Sequence, residues 1–246
     1  MTKIITVAIQ KGGTGKTATA AALASAASFR GHSVLAIDLD PQANLSFSLG
    51  ANTTNRPGAY AFLNGGNPAK VLQTIGGSLD IIPAEWELST LTSGKGSARR
   101  LEKALQPIRN LYDVIVIDTP PTLGEIQYNA LQAATDLVIP LQADAYSLQA
   151  LYQITATAKQ FTASNPALKV AGIVLTQYSN RVLIGRKMEK TIESAAEKMG
   201  IEVIGTIRQG VAVREAAALQ QPLFRYASKS KPAADYLALF DRIMSE

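Results

Sequence analysis

Short runs of β-branched and aliphatic residues alternate with longer stretches of helical periodicity along this chain. Seven of the apolar runs have the length of strands, at residues 3–9, 33–38, 79–83, 113–118, 136–141, 169–176 and 202–207. The run at 113–118 is nearly all apolar, as expected for a central strand that is covered on both faces. Strands that alternate with helices predict a parallel sheet enclosed by helices.

Helical patterns fill most of the spaces between these runs, at residues 16–30, 124–134, 147–162, 183–199, 211–220 and 231–244. The segment 51–77 is rich in glycine and proline and predicts loops with short helices. We see no internal repeat and no heptad pattern. We therefore predict a single α/β domain over residues 1–246, with a mostly parallel central sheet of about seven strands flanked by helices.

Composition excludes several classes of protein. A chain of 246 residues with 47% hydrophobic and 17% charged residues can bury a large core. The absence of cysteine rules out disulfides and thiolate-held metal or iron–sulfur centres. No run reaches the roughly 18 apolar residues of a membrane span, and the N-terminus lacks the pattern of a signal peptide. We therefore expect a cytoplasmic protein.

The formal charge of +5 and the pI of about 9.4 favour polyanionic partners without identifying one. The chain opens directly on its first predicted strand, so we expect no N-terminal helix-turn-helix domain and no reading of a defined operator.

The strongest motif is KGGTGKT at residues 11–17, between the first strand and the first helix. Glycines permit the tight turn that points backbone N–H groups at phosphate oxygens, and the helix start adds its positive dipole end. Lys16 is expected to neutralise the β- and γ-phosphates of ATP, and the Thr17 hydroxyl to ligate Mg²⁺. The predicted nucleotide contacts of this phosphate loop are Lys11, Gly12, Gly13, Thr14, Gly15, Lys16, Thr17 and Ala18.

Three carboxylates follow apolar strands. Asp38 and Asp40 end the second strand, and Asp118 ends the central one. Ligands of open α/β sheets bind beyond the carboxyl ends of the strands, so these side chains are expected to converge on the phosphates. A carboxylate after four apolar strand residues is a Walker B pattern, which holds Mg²⁺ directly or through water. For Asp38 a purely structural role remains an alternative.

The phosphate loop departs from the general Walker A motif, because Gln10 stands where a glycine is usual and a second lysine, Lys11, follows it. This variant resembles the deviant Walker A loop of the ParA/MinD group of ATPases. D-x-D-P-Q and D-T-P-P also stand here as that family has them. The resemblance implies that Lys11 reaches a partner protomer's nucleotide, as an arginine finger does. It further implies that Asp40 activates the attacking water, that Asp38 supports the metal shell, and that Asp118 belongs to a second switch.

Similarity to this family extends through residues 136–151 and 172–181. It makes Gln177 and the turn at Arg208 candidates to frame the adenine. The nitrogenase branch of the superfamily needs cysteines, which this chain lacks. The C-terminal segment suits a helix packed on the core, and its Asp235, Asp241 and Glu246 would be repelled by anionic lipid, so no membrane partner is expected.

The resemblance implies an ATP-dependent homodimer that binds double-stranded DNA nonspecifically and is reset by hydrolysis, which a ParB-like centromere-binding protein stimulates. Such a protein is nucleoid-associated and partitions a plasmid, chromosome or mobile element. The DNA-contact candidates are Arg208, Arg214, Arg225, Lys229 and Lys231. Of these, Arg208 and Arg214 do not align cleanly with the family's arginines. Two alternatives stay open: a ParA-like ATPase that positions a protein cargo, and an ATP-dependent metabolic enzyme.

Overall fold

A computed structural model describes residues 1–94, 96–144, 146–178 and 183–245, without the side chains of 183–186. Its centre is a sheet in which the described residues form eight strands, in the spatial order β3-β4-β2-β5-β1-β6-β7-β8. The strands are β1 Lys3–Val7, β2 Val34–Asp38, β3 Gln73–Gly76, β4 Leu79–Ile82, β5 Val114–Asp118, β6 Asp136–Leu141, β7 Lys169–Tyr178 and β8 Val203–Arg208. Every pairing is parallel except that of β3 with β4. The mostly parallel sheet predicted from the sequence is confirmed.

The prediction of about seven strands missed one. Strand β3 lies in the segment that was predicted to form loops, and it pairs antiparallel with β4 at the edge of the sheet. Its residues alternate between half-buried and exposed, so it lacks the continuous apolar run of the inner strands. A β-bulge and two adjacent glycines, Gly76 and Gly77, interrupt its pattern further. Such an edge strand leaves little hydrophobic signal in a sequence.

Helices cover both faces of the sheet. They are α1 Lys16–Phe29, α2 Asn44–Leu49, α3 Ala59–Leu63, α4 Pro68–Val71, α5 Arg100–Leu105, α6 Glu125–Ala133, α7 Ser147–Phe161, α8 Leu183–Lys198, α9 Val211–Ala218, α10 Leu223–Ala227 and α11 Lys231–Ser245. Along β5, Val114 and Val116 pack towards α1 and α11, and Ile115 and Ile117 towards the opposite layer. This two-sided burial explains why β5 reads as a continuous apolar run. None of the helices in the described ranges is long and apolar enough to cross a membrane.

The arrangement of β1, β2 and β5 positions the site. Strand β1 lies between β5 and β6, and β2 lies on the other side of β5. Asp118 is in register with Val7 on one side and with Asp38 on the other. Because the three strands are parallel, the loops that follow them emerge together at one edge of the sheet.

Candidate nucleotide-binding site

The phosphate loop connects β1 to α1 in the geometry that its glycines predict. Gly13 and Gly15 have φ values of +74° and +82°, in the left-handed region that glycine adopts without strain. Gly15 caps α1, and no side chain caps the helix or places an acid in its first turn. The first N–H groups of this 14-residue helix are therefore available to an anion.

Polar side chains in β7 and directly after β6 hydrogen-bond to backbone carbonyls of the phosphate loop. The Thr176 hydroxyl donates to the Thr14 carbonyl at 2.7 Å, and the Gln142 amide donates to the Gly13 carbonyl at 2.7 Å. A Cβ on Gly15 would lie 3.5 Å from Thr176, so this part of the loop is packed against β7. The loop is thus held in a defined conformation before any ligand binds.

Lys16 points into the site. Its ammonium donates to the Lys11 carbonyl at 2.7 Å, and the residue is only 7% exposed. Burial lowers the pKa of Lys16, while the nearby carboxylates of Asp118 and Asp40 oppose that effect. A buried cation with no full ion pair suits a ligand that brings its own negative charge.

Lys11 occupies a different environment. Its ammonium forms an ion pair with Asp144 and donates to the Ser147 hydroxyl at 3.2 Å. Burial disfavours the charged form of Asp144, but hydrogen bonds from Lys11 and from the Tyr146 N–H hold its pKa below the usual range. The second lysine of the motif is therefore bound within its own protomer.

Asp118 and Asp38 are fully buried next to each other. Burial, together with the charge of Asp38, raises the pKa of Asp118 well above its ordinary value. One Asp118 oxygen accepts the Thr119 N–H at 3.0 Å, whereas Oδ2 has no hydrogen-bond partner among the described residues. The Thr17 side chain is near enough to lower the pKa of Asp118, but it does not complete a hydrogen bond to Oδ2.

These groups fit a magnesium nucleotide. The unpartnered Asp118 Oδ2 and the Thr17 hydroxyl are hard oxygen donors of the kind that Mg²⁺ prefers. The buried Thr14 hydroxyl also lacks a partner within the described ranges, and it lies in the loop that would surround the phosphates. Buried polar atoms are normally satisfied, so atoms left open here indicate a ligand site.

Asp38 acts chiefly on the neighbouring loop. Its Oδ2 accepts the Ser46 N–H at 2.8 Å and the Ser46 hydroxyl at 2.7 Å, and its Oδ1 accepts the Asp40 N–H at 3.1 Å. Burial raises the pKa of Asp38 to about 6, although these hydrogen bonds favour the charged form. Asp38 thus orients the segment that carries Asp40.

Asp40 is almost fully buried at the same edge. Its Oδ1 accepts the Gln42 N–H at 3.0 Å, which closes a local turn. Its charge acts on Lys16, which places the two groups close together. Asp40 is therefore near enough to the phosphate loop for its charge to act on Lys16.

A cavity of about 150 Å³ opens beside the loop and contains the predicted adenine contacts. It is lined by Gly15, Ala18, Thr176, Gln177, Ile207, Arg208, Gln209, Gly210, Val213, Arg214 and Tyr236. Gln177 has a φ of +52°, and its side-chain amide lies 3.3 Å from the Gly13 carbonyl. The last three residues of the matched segment 172–181 lie outside the described residues.

The five basic candidates for DNA contact have different environments. Arg208 forms a two-pronged ion pair with Asp235 of α11. The exposed candidates are Arg225 on α10, Lys229 in the turn that follows it, and Lys231 at the first residue of α11. Within the described part of the chain they form no side-chain hydrogen bond or ion pair. Arg214 lies on α9 and lines the cavity beside α1.

Sequence reasoning missed Gln142, Asp144 and Thr176. Each follows or ends an apolar strand at the carboxyl edge of the sheet. That position was the available signal, but polar residues at strand ends are common and no local motif marks these three.

Comparison with known proteins identifies the family. A family model described as an AAA domain matches residues 2–170. The chromosome partitioning protein ParA of Myxococcus xanthus is 35% identical over 98% of this chain and 88% of that protein. The chain belongs to the ParA family of deviant Walker A ATPases. This ParA-family chain also resembles the chromosome-partitioning ATPase Soj of Thermus thermophilus, with 33% identity over 98% of this chain and 95% of that protein.

Solved structures extend the ParA-family comparison to bound ligands. Cobyrinic acid a,c-diamide synthase from Mycobacterium smegmatis, with ADP and magnesium, matches with a TM-score of 0.83 and 30% identity over 98% of this chain and 93% of that one. MinD from Pyrococcus horikoshii, with Mg-ADP, matches with a TM-score of 0.82 and 26% identity over 99% of this chain and 96% of that one. Those ligands agree with the ATP and Mg²⁺ expected from the sequence.

Proposed function

We propose that this chain is a Mg²⁺-dependent ATPase that dimerises on ATP, binds double-stranded DNA nonspecifically in that state, and partitions a DNA molecule. The observation that carries the proposal is the two-lysine phosphate loop set against Asp38, Asp40 and Asp118 at one edge of the sheet. Two of its relatives are named as chromosome-partitioning proteins, which supports a role in DNA partition.

Different residues of the site bind the phosphates, hold the metal ion and orient the attacking water. Lys16 and the amides of the phosphate loop bind the β- and γ-phosphates. Thr17 and Asp118 hold Mg²⁺, with Asp38 supporting that shell. When bound, the metal ion neutralises phosphate charge during transfer. Asp40 orients the attacking water, and its own position is fixed through Asp38.

Lys11 completes the site in trans. Two protomers close face to face on ATP, and each Lys11 contacts the nucleotide of the other protomer, where it stabilises charge that develops in the transition state. Lys11 must leave Asp144 to do so, because one ammonium cannot serve both positions. Dimerisation is therefore coupled to the loss of that ion pair.

The track is DNA and the partner is a ParB-like protein. Arg225, Lys229 and Lys231 offer unpaired positive charge on neighbouring segments, and a dimer doubles it. Phosphate contacts of this kind are independent of sequence and sensitive to salt. Hydrolysis, stimulated by the ParB-like partner, reopens the dimer and releases it from the nucleoid.

Two alternatives predict different behaviour. A cargo-positioning ATPase would share the switch but would need a protein adaptor in place of a centromere-binding protein. A metabolic enzyme like the matched diamide synthase would need a second substrate site.

The decisive experiment uses Asp40→Ala, which is expected to bind ATP without hydrolysing it. Binding of a random-sequence DNA duplex is measured with ATP and with ADP over a salt series. Tight, salt-sensitive binding with ATP alone supports the DNA switch. If DNA binding is absent, or is equal with ATP and with ADP, the proposed DNA switch is contradicted and the protein binds a surface other than DNA.

A further inference from the structure

Two cavities meet beside the first turns of α1. The first is the cavity of about 150 Å³ described above, and the second has a volume of about 230 Å³. Both are lined by Ala18 on α1 and by Val213 and Arg214 on α9. The second also contacts Thr17 and Ser48. Arg214 therefore lies where the space for a base adjoins the space beside the predicted metal ligand Thr17.

The positive charge of Arg214 is not neutralised by a neighbouring carboxylate among the described residues. Within the part of the chain that the structure describes, its guanidinium forms no hydrogen bond and no ion pair. The carboxylate next to it in sequence, Glu215, accepts a hydrogen bond from the Tyr226 hydroxyl at 3.1 Å. The other arginine of the base cavity, Arg208, is bound by Asp235. Of the two arginines that line this cavity, only Arg214 is free to bind a ligand.

We propose that Arg214 is a nucleotide-binding residue whose guanidinium contacts the α-phosphate of ATP and ADP. Nucleotide phosphates held by the loop leave the base end of the ligand near Ala18, so the phosphate next to the ribose lies between the loop and the cavity. An arginine presents a planar fork of donors that matches phosphate oxygens. This role replaces the DNA contact that the sequence suggested for Arg214.

This assignment rests on the proposed function, because it requires that the chain bind an adenine nucleotide. The test measures the affinity for ADP, with Mg²⁺, from the fluorescence of a mant-labelled ADP. The variants are Arg214→Gln, Arg214→Lys and the control Lys159→Gln, which removes the same charge from an exposed position on α7. Thermal melting of each variant without nucleotide confirms that the fold is retained.

Arg214→Gln should weaken ADP binding about tenfold, the effect of losing one charge-assisted hydrogen bond. Arg214→Lys should recover part of the loss, since it restores the charge without the fork. Lys159→Gln should bind as the wild type does. DNA binding of Arg214→Gln at saturating ATP should match that of the wild type.

An ADP affinity of Arg214→Gln within twofold of the wild type would overturn the assignment. If DNA binding at saturating ATP fell at the same time, Arg214 would instead belong to the DNA surface. A wild-type chain that binds no ADP would overturn the proposed function itself, so the two failures are distinguishable.

Discussion

The ammonium of Lys11 and the carboxylate of Asp144 form an ion pair within a single protomer, at the position from which Lys11 is proposed to reach a second protomer. The Ser147 hydroxyl accepts a further hydrogen bond from the same ammonium at 3.2 Å. If Lys11 acts in trans as proposed, the pair stabilises the separate protomer and opposes the closed dimer. Its strength therefore sets part of the free energy that ATP binding must supply.

Asp144→Asn should strengthen dimerisation on ATP. The substitution removes the charge that holds Lys11 and keeps the shape of the side chain. A partly exposed ion pair contributes about 1 kcal/mol and closure breaks one such pair in each protomer, so the dissociation constant of the dimer should fall about thirtyfold. Sedimentation of the Asp40→Ala background with ATP measures this constant.

The control for that measurement is Asp241→Asn, which removes the carboxylate paired with Arg30 on the surface of α11. It should leave the dimer constant unchanged. Weaker dimerisation in Asp144→Asn would show that the pair with Lys11 is not an obstacle to closure.

Ser46→Ala should destabilise the fold and slow hydrolysis. The Ser46 hydroxyl donates to the buried Asp38 and accepts the Ala84 N–H at 2.9 Å. Its loss leaves a buried carboxylate short of one donor, at a cost of about 1–3 kcal/mol in the free energy of unfolding. Urea denaturation measures this cost. Ser48→Ala in the same helix loses a hydroxyl that only contacts the Asn44 carbonyl, and it should change stability by less than about 0.5 kcal/mol.

The double variant Lys229→Gln/Lys231→Gln should weaken DNA binding in the ATP state and make it less sensitive to salt. Each phosphate contact contributes about 0.9 to the slope of log affinity against log salt, so the slope should fall by about 2 per protomer in contact. Arg208→Gln serves as the comparison, because Asp235 already neutralises that charge. An unchanged slope in the double variant, with a reduced slope in Arg208→Gln, would reverse the assignment.

Gly58→Ala should lower the melting temperature even though the position is far from the phosphate loop in sequence. A Cβ at Gly58 would lie 2.2 Å from the Pro83 carbonyl oxygen, a backbone atom that cannot rotate away. Overpacking of this kind costs about 1–3 kcal/mol. Gly94→Ala is the matched control, since nothing lies within 4 Å of its added Cβ. Equal melting temperatures for Gly58→Ala and Gly94→Ala would contradict the close approach of Gly58 to Pro83.

Local motifs in the sequence indicated which residues are candidates for the chemistry. They did not indicate which contacts each of these residues makes. The phosphate loop and Asp118 were identifiable because strand, turn and helix follow each other within a few residues. Parallel strands then bring Asp38 and Asp118 into register without further information. Their place at one edge of the sheet is what their positions at the ends of apolar strands predicted.

Long-range partners could not be predicted in the same way. Lys11 forms an ion pair with Asp144, and Arg208 forms one with Asp235, although no sequence motif links the two segments of either pair. Each contact depends on how loops from different strands meet, which hydrophobic periodicity does not record. Strand β3 was missed for a related reason, because an exposed edge strand has little apolar pattern of its own.

The position of β1 in the sheet bears on how the molecule is made. Strand β1 is a middle strand of the sheet, and its two neighbours begin much further along the chain, at Val114 and Asp136. Its apolar residues have no sheet partner until translation has passed Asp118, the end of β5, and pairing over such separations is slow. A nascent chain therefore carries β1 exposed and prone to aggregation until the residues of β5 have emerged. The phosphate loop that follows β1 is likewise made well before β6 and β7, whose ends carry the residues that hold it in place.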